Sequence, residues 1–170
     1  MLLLPVIFMI HEYEEIIRFK GWLDQNRMVL QQRFPSLYHF LLRNKVFEYS
    51  TETFAIGTAL NFLLISLVTI ISLSLGAYHL WFVALIGHTL HLTVHILQWL
   101  IYRRYIPVIF TSLITLPYCA YAGIAFVTLH GISALDWVIY ISIGFLAMLL
   151  SFTFAFLVMK KVNERLTNGN

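Results

Sequence analysis

One hundred and seventy residues make room for one domain, and the composition puts that domain in a membrane: 60% of the chain is hydrophobic and 11% is charged, against about 25% charged in an ordinary soluble domain. Mean hydropathy is +0.82, which excludes a soluble globular enzyme, a disordered chain and a disulfide scaffold. The net charge of +3 does not imply a nucleic-acid partner, because the eleven basic residues flank apolar stretches and form no patch of their own.

Runs without Asp, Glu, Lys or Arg fill the chain between Glu52 and Arg103, Arg104 and Asp136, and Asp136 and Lys160. A spanning helix needs about 20 predominantly apolar residues, so these runs hold four spans, two of them in the first. Together with an amino-terminal helix they predict an all-α, polytopic helical bundle of about five transmembrane helices in a single domain, residues 1–170.

The first span is expected over about 2–22. It lacks a basic leader and a small-residue cleavage site before His11, so it reads as a retained helix. Its apolar start gives way to His11-Glu12-Tyr13-Glu14-Glu15 before the helix has crossed. A polar cytoplasmic linker of about 24–50 follows, in which Ser36 is placed to cap a short helix turning Leu37, Phe40, Leu41 and Phe47 toward the lipid boundary. The second span is expected over 53–75, a Gly76-Ala77-Tyr78 turn leads to the third over 80–101, and Arg103-Arg104 end it. The fourth, over 107–129, contains Pro117, a kink site, and Cys119, read as a small packing residue. His130-Gly131-Ile132-Ser133 turn the chain into the fifth, over 136–159. With five spans all the basic residues fall on one side, which the positive-inside rule makes cytoplasmic, with the amino terminus outside. Trp22, Trp81, Trp99, Tyr102 and Tyr105 suit aromatic belts, and His39, His79 and His130 lie at loops or span ends.

Ionisable groups inside a span cost about 2.5–3.5 kcal/mol each at mid-bilayer on insertion scales, so they should face the bundle interior and have partners. At about 100° per residue, His11, Glu14, Glu15 and Arg18 share one arc of the first span, with Glu12 and Tyr13 pointing elsewhere. In the third span His88, His91 and His95 stand at i, i+3 and i+7, and Gln98 continues the stripe. His11 precedes Lys20 by nine residues and His95 precedes Arg103 by eight. At about 1.5 Å rise per residue both lie about 12–14 Å from the cytoplasmic boundary, and Asn61 reaches the same level. Three helices therefore place polar groups in one layer.

Imidazole and carboxylate together are natural ligands for a divalent metal, zinc first and iron or manganese next. A cation would also relieve two adjacent buried carboxylates, and an open coordination position activates water. The expected ligands are His11, Glu15 and His95, with Glu14 as a fourth ligand or as the catalytic base. Glu12, Asn61, His88, His91 and Gln98 are weaker candidates, Gln98 and Asn61 supporting the ligands from behind.

The motif His11-Glu12-Tyr13-Glu14-Glu15, the histidine His95, and Tyr105-Ile106-Pro107 resemble the HXXEE-domain family of small, mostly bacterial integral membrane proteins, which carry an amino-terminal H-x-x-E-E, a later histidine and a Y-x-P-G motif. Val108 stands where that motif has glycine, which disfavours a tight backbone turn there. The resemblance implies a bacterial cytoplasmic membrane protein of unknown function whose metal-site residues are His11, Glu14, Glu15 and His95, with a protease or other hydrolase role on a membrane-embedded or lipidic substrate. An ion or proton-coupled transporter is the alternative from the same residues, as is a non-enzymatic protein whose polar layer only fixes helix packing. Haem held by His11 and His95 is disfavoured by the two glutamates beside them.

Overall fold

The computed structural model describes residues 1–168, and its elements are six α-helices and one short 3-10 turn: α1 (Leu3–Arg33), α2 (Pro35–Arg43), the 3-10 turn (Val46–Glu48), α3 (Thr51–Leu75), α4 (Tyr78–Tyr102), α5 (Ile109–His130) and α6 (Ala134–Asn168). Four of them, α3, α4, α5 and α6, are long and apolar enough to cross a membrane. The all-helical class expected from the hydropathy pattern is the one observed.

Local chemistry sets the ends. Ser50 caps α3 by accepting from the Thr53 amide at 3.2 Å. Gly76 closes α3 and Gly131 closes α5 in the left-handed region, with φ of 66° and 61°, where glycine carries no Cβ penalty. α4 is the central helix. It packs between α5 and α6 with α3 alongside, while α1 lies against α3 and α5. Glycines let α4 and α6 approach closely: a Cβ on Gly144 would meet Ile86 Cγ2 at 2.8 Å and the Gly87 nitrogen at 3.1 Å. Small residues at a crossing are how helices gain contact in lipid, where hydrophobic burial drives little association.

The first helix departs from expectation. It does not stop near residue 22 but runs on to Arg33, a length of about 46 Å at 1.5 Å per residue, against a hydrocarbon core of about 30 Å. Much of the expected linker is therefore helix. Leu23 and Leu30, buried at i and i+7, anchor the extension in an apolar core with Tyr38, Val46, Phe47 and Tyr49. α2 starts at Pro35, a residue favoured in the first turn, with no side-chain cap from Ser36. Its Leu37 and Phe40 are exposed as expected, whereas Phe47 is buried.

A small apolar cluster of Tyr102, Ile106 and Ile109 joins α4 to the start of α5, and two larger apolar cores lie toward opposite ends of the bundle. One holds Leu4, Phe82, Leu85 and Phe126 toward the end where α1 begins, the far end. The other lies beneath α2 at the opposite end, which carries the basic residues of α1, α2, the α4–α5 loop and the tail of α6. The polar residues of α1 and α4 lie between the two. Trp81 and Tyr102, expected in aromatic belts, are buried in the bundle instead, at 3% and 5% exposure.

Candidate metal centre

Three histidine side chains meet between the cores. His91 Nε2 lies 3.2 Å from His11 Nε2 and 3.1 Å from His95 Nε2, and all three residues are buried. The i, i+4 spacing of His91 and His95 puts both rings on the α4 face that looks toward α1. Glu12 Oε1 approaches His91 Nε2 at 3.6 Å, and it is a buried carboxylate oxygen with no hydrogen-bond partner. Its other oxygen accepts from Thr58 Oγ1 at 3.1 Å. Glu15 completes a second group with Glu12 and His91 whose ligand atoms lie within 4.8 Å of one another, as those of His11, His91 and His95 do. Glu15 is half-buried and lines cavities on both sides of α1.

Hydrogen bonds on the outer ring nitrogens decide where the lone pairs point. His95 Nδ1 is 3.0 Å from Gln98 Oε1. An amide oxygen only accepts, so Nδ1 carries the proton and Nε2 presents its lone pair to the cluster. His11 Nδ1 faces the hydroxyls of Thr111 and Ser112, each at 3.5 Å. Thr111 Oγ1 donates its one proton to Glu14 Oε2 at 2.8 Å, which leaves that oxygen to accept from His11 Nδ1. In the tautomer protonated at Nδ1, His11 Nε2 is a second inward lone pair, whereas a proton donated by Ser112 to Nδ1 selects the other tautomer. His91 Nε2 has at most one proton to give, so it can satisfy only one of these neighbours. Nitrogens on adjacent corners of a tetrahedral zinc site lie about 3.3 Å apart, given Zn–N of about 2.0–2.1 Å. The two observed spacings are close to that edge. This buried histidine and glutamate group could hold a metal ion.

The placement of two residues differs from expectation. Glu14, expected as ligand or base, is turned toward α5. It accepts from the Thr111 amide at 2.9 Å, from the Thr111 hydroxyl, and from Tyr105 OH at 2.9 Å. Burial, and then the Glu14 carboxylate, push the Tyr105 phenol up to about 12, so at neutral pH it keeps the proton it donates. His91 and Glu12, the weaker candidates, are central instead. The reason is that α1 is enclosed by α3, α4 and α5 and has more than one interior face, so a single polar arc does not describe it. His11, Glu15 and His95 come together as expected, and Gln98 stands behind His95. Asn61 lines two cavities beside His91. His88 lies one turn toward the far end, its ring edge-on to His11 at 5.9 Å between centroids, with both nitrogens buried and unpartnered. Thr58, Thr111 and Ser112 were not singled out from the sequence. Thr58 was legible as the i−3 neighbour of Asn61 on the same face of α3, whereas a hydroxyl on α5 carries no pattern of its own.

Val108 adopts a left-handed backbone with φ of 71° at the start of α5, so the tight turn that a valine disfavours is present. The turn matters because Thr111 and Ser112 follow directly.

The family described as "protein of unknown function with HXXEE motif" matches residues 2–122. That stretch covers most of the chain and contains every residue of the cluster, so the chain belongs to this family. No curated protein and no solved structure gave a significant match.

Proposed function

We propose that this chain is an integral membrane metalloprotein, with zinc the leading ion and iron or manganese the alternatives, and that it hydrolyses a membrane-embedded or lipidic substrate. The observation that carries the reading is the convergence of His11 Nε2, His91 Nε2 and His95 Nε2 beside the unpartnered Glu12 Oε1. His11, His91 and His95 would hold the ion, with a carboxylate of Glu12 or Glu15 beside them. When bound, such an ion supplies Lewis acidity to a carbonyl or a water at neutral pH.

The chain's own groups then have distinct tasks. Glu12, held by Thr58, is the base that takes a proton from the attacking water, whose oxygen bonds to the carbonyl carbon. The bond from that carbon to the leaving atom breaks, and the leaving atom takes from Glu12 the proton that Glu12 removed from the water. Gln98 and the Thr111–Glu14 pair fix the ring tautomers of His95 and His11, the outer support that metal-binding histidines use.

In our reading α1 is a fifth crossing, with the amino terminus outside and the basic end in the cytoplasm. Its exposed face supports this: Leu3, Val6, Ile10, Tyr13 and Ile17 form a stripe, each between 43% and 70% exposed, while its ionisable residues around His11 and Glu12 turn inward. A second reading, proton or ion passage, is favoured by the unpartnered His88. It needs polar groups onward to the far end, where the core is Leu4, Phe82, Leu85 and Phe126.

The test is metal content by mass spectrometry on detergent-purified protein, beside His11→Ala, His91→Ala and His95→Ala. Near-stoichiometric metal, lost in all three variants while helicity is retained, is expected. A wild type that takes up no metal even on reconstitution would sink the hydrolase reading and leave the relay or a packing network.

A further inference from the structure

Between α1, α2 and the basic end of α4 lies a cavity of ≈ 280 Å³ with an uneven lining. Its walls are apolar, with Leu23, Leu30, Phe34, Leu41 and Ile106, while Glu15, His95 and Gln98 supply its polar end; the Trp22 indole and the Tyr102 phenol, which also line it, are spent on the Tyr105 carbonyl and on Asn26. Glu15 and His95 are members of the cluster, so the cavity reaches the proposed centre directly. Along α1, Glu15 and Leu30 are fifteen residues apart, about 22 Å at the helical rise, so the cavity runs from the polar layer into the core beneath α2.

We infer that this cavity binds the chain of an acyl amphiphile, its carbonyl end at Glu15, His95 and Gln98 and its apolar tail running along α1 toward Leu30 and Leu41. The inference rests on the hydrolase reading for the reaction it serves. Three features select this occupant over a peptide. An extended peptide sheltered from water needs partners for each N–H and C=O. Among the described residues the regular elements are helices and one 3-10 turn, with no strand edge to offer them. An acyl chain carries one polar group, and the cavity has one polar end. Gln98 spends its oxygen on His95, which leaves its NH₂ as the donor suited to a carbonyl oxygen.

The probe is dodecanoic acid carrying a diazirine at its terminal carbon, photolysed with the full-length, zinc-treated protein in nanodiscs and mapped by mass spectrometry. Labelling is expected at Leu23 and Leu41, reduced at least fivefold by Leu41→Trp and competed away on the wild type by unlabelled dodecanoate but not by acetate. The competition arm stands even if the variant fails to fold. Labelling confined to lipid-facing residues such as Leu63 and Leu146, or labelling that dodecanoate does not compete, would overturn the inference. Labelling at Gln98 and Glu15 would overturn the orientation. Metal content on the same samples separates the two readings. Cavity labelling without bound zinc upholds this site while the hydrolase reading fails, and bound zinc with lipid-facing labelling does the reverse.

Discussion

Two buried stretches of α4, 81–86 and 88–95, are held in opposite ways. Toward the far end Trp81, Phe82, Leu85 and Ile86 pack against α5 and α6, with Phe82 stacked on Phe126 at 4.0 Å between ring centroids. Toward the basic end His91 meets His11 of α1 through its ring nitrogen, with His95 bonded to His91 and the His88 ring edge-on to His11. In lipid the first kind of contact gains little from leaving the solvent, since the surrounding tails are as apolar as leucine, and its worth is close packing. The second kind is the more costly to leave unmade, because a buried polar group without a partner costs more than a poorly packed methyl. The far half therefore sets where the helices sit, and the polar half sets what they must hold.

The largest effect expected is on the polar half. His91→Ala removes the nitrogen that all the others approach, so metal affinity should fall by more than about 100-fold, beyond the 10–100-fold that outer-support changes produce. Competition against a chelator measures it, and an affinity within tenfold of wild type would break the comparison. In the far half, Leu85→Ala should act the other way round. Leu85 is fully buried, and the substitution should cost about 2 kcal/mol, the low end for a core leucine because lipid competes equally well for the side chain. Its chelator curve should match wild type. If Leu85→Ala also releases metal, the two halves are not separable.

Glu14→Gln sharpens the boundary between them. If Glu14 orders Thr111 and, through it, His11, the variant should keep its fold and bind metal about tenfold more weakly, at the low end for outer-support groups. Thr111→Val should do the same. The double variant should be no worse than either, since both act through one hydrogen bond. Additive losses would return Glu14 to the set of direct ligands.

How far the sequence foretold this arrangement follows from the geometry of each helix. α4 has one polar stripe and one polar neighbour, so the period of His88, His91, His95 and Gln98 located its part of the site. α1 has polar groups on more than one buried side: Glu12 toward Thr58 of α3, His11 toward His91 of α4, and Glu14 toward Thr111 of α5. Angular arcs on one helix say which residues lie together but not which neighbour each arc faces, and that is why Glu12 lies beside His91 while Glu14 faces Thr111. The extension of α1 was hidden for a different reason. Residues 24–33 are mostly polar because that turn of helix needs only a narrow apolar seam, at Leu23 and Leu30, to seat it against α2.

Val108 offers the smallest and most specific test. A β-branched residue at φ of 71° is strained, since the left-handed region puts Cβ against the following carbonyl at about 1–2 kcal/mol. Its side chain is 1% exposed and packed, which offsets the strain. Glycine here would forfeit the packing and relieve the strain, whereas alanine would forfeit most of the packing and keep the strain. Val108→Gly should therefore be more stable than Val108→Ala by about 1 kcal/mol, the reverse of their order inside a helix. Because the same turn delivers Thr111 and Ser112 to His11, the alanine variant should also bind metal less tightly than the glycine variant. Thermal or denaturant unfolding in detergent, paired with the chelator titration, reads both. If alanine proves the more stable, the turn is not what holds the start of α5. The link from the Tyr105-Ile106-Pro107 segment to the histidine cluster would then have to run through the Tyr105–Glu14 hydrogen bond alone.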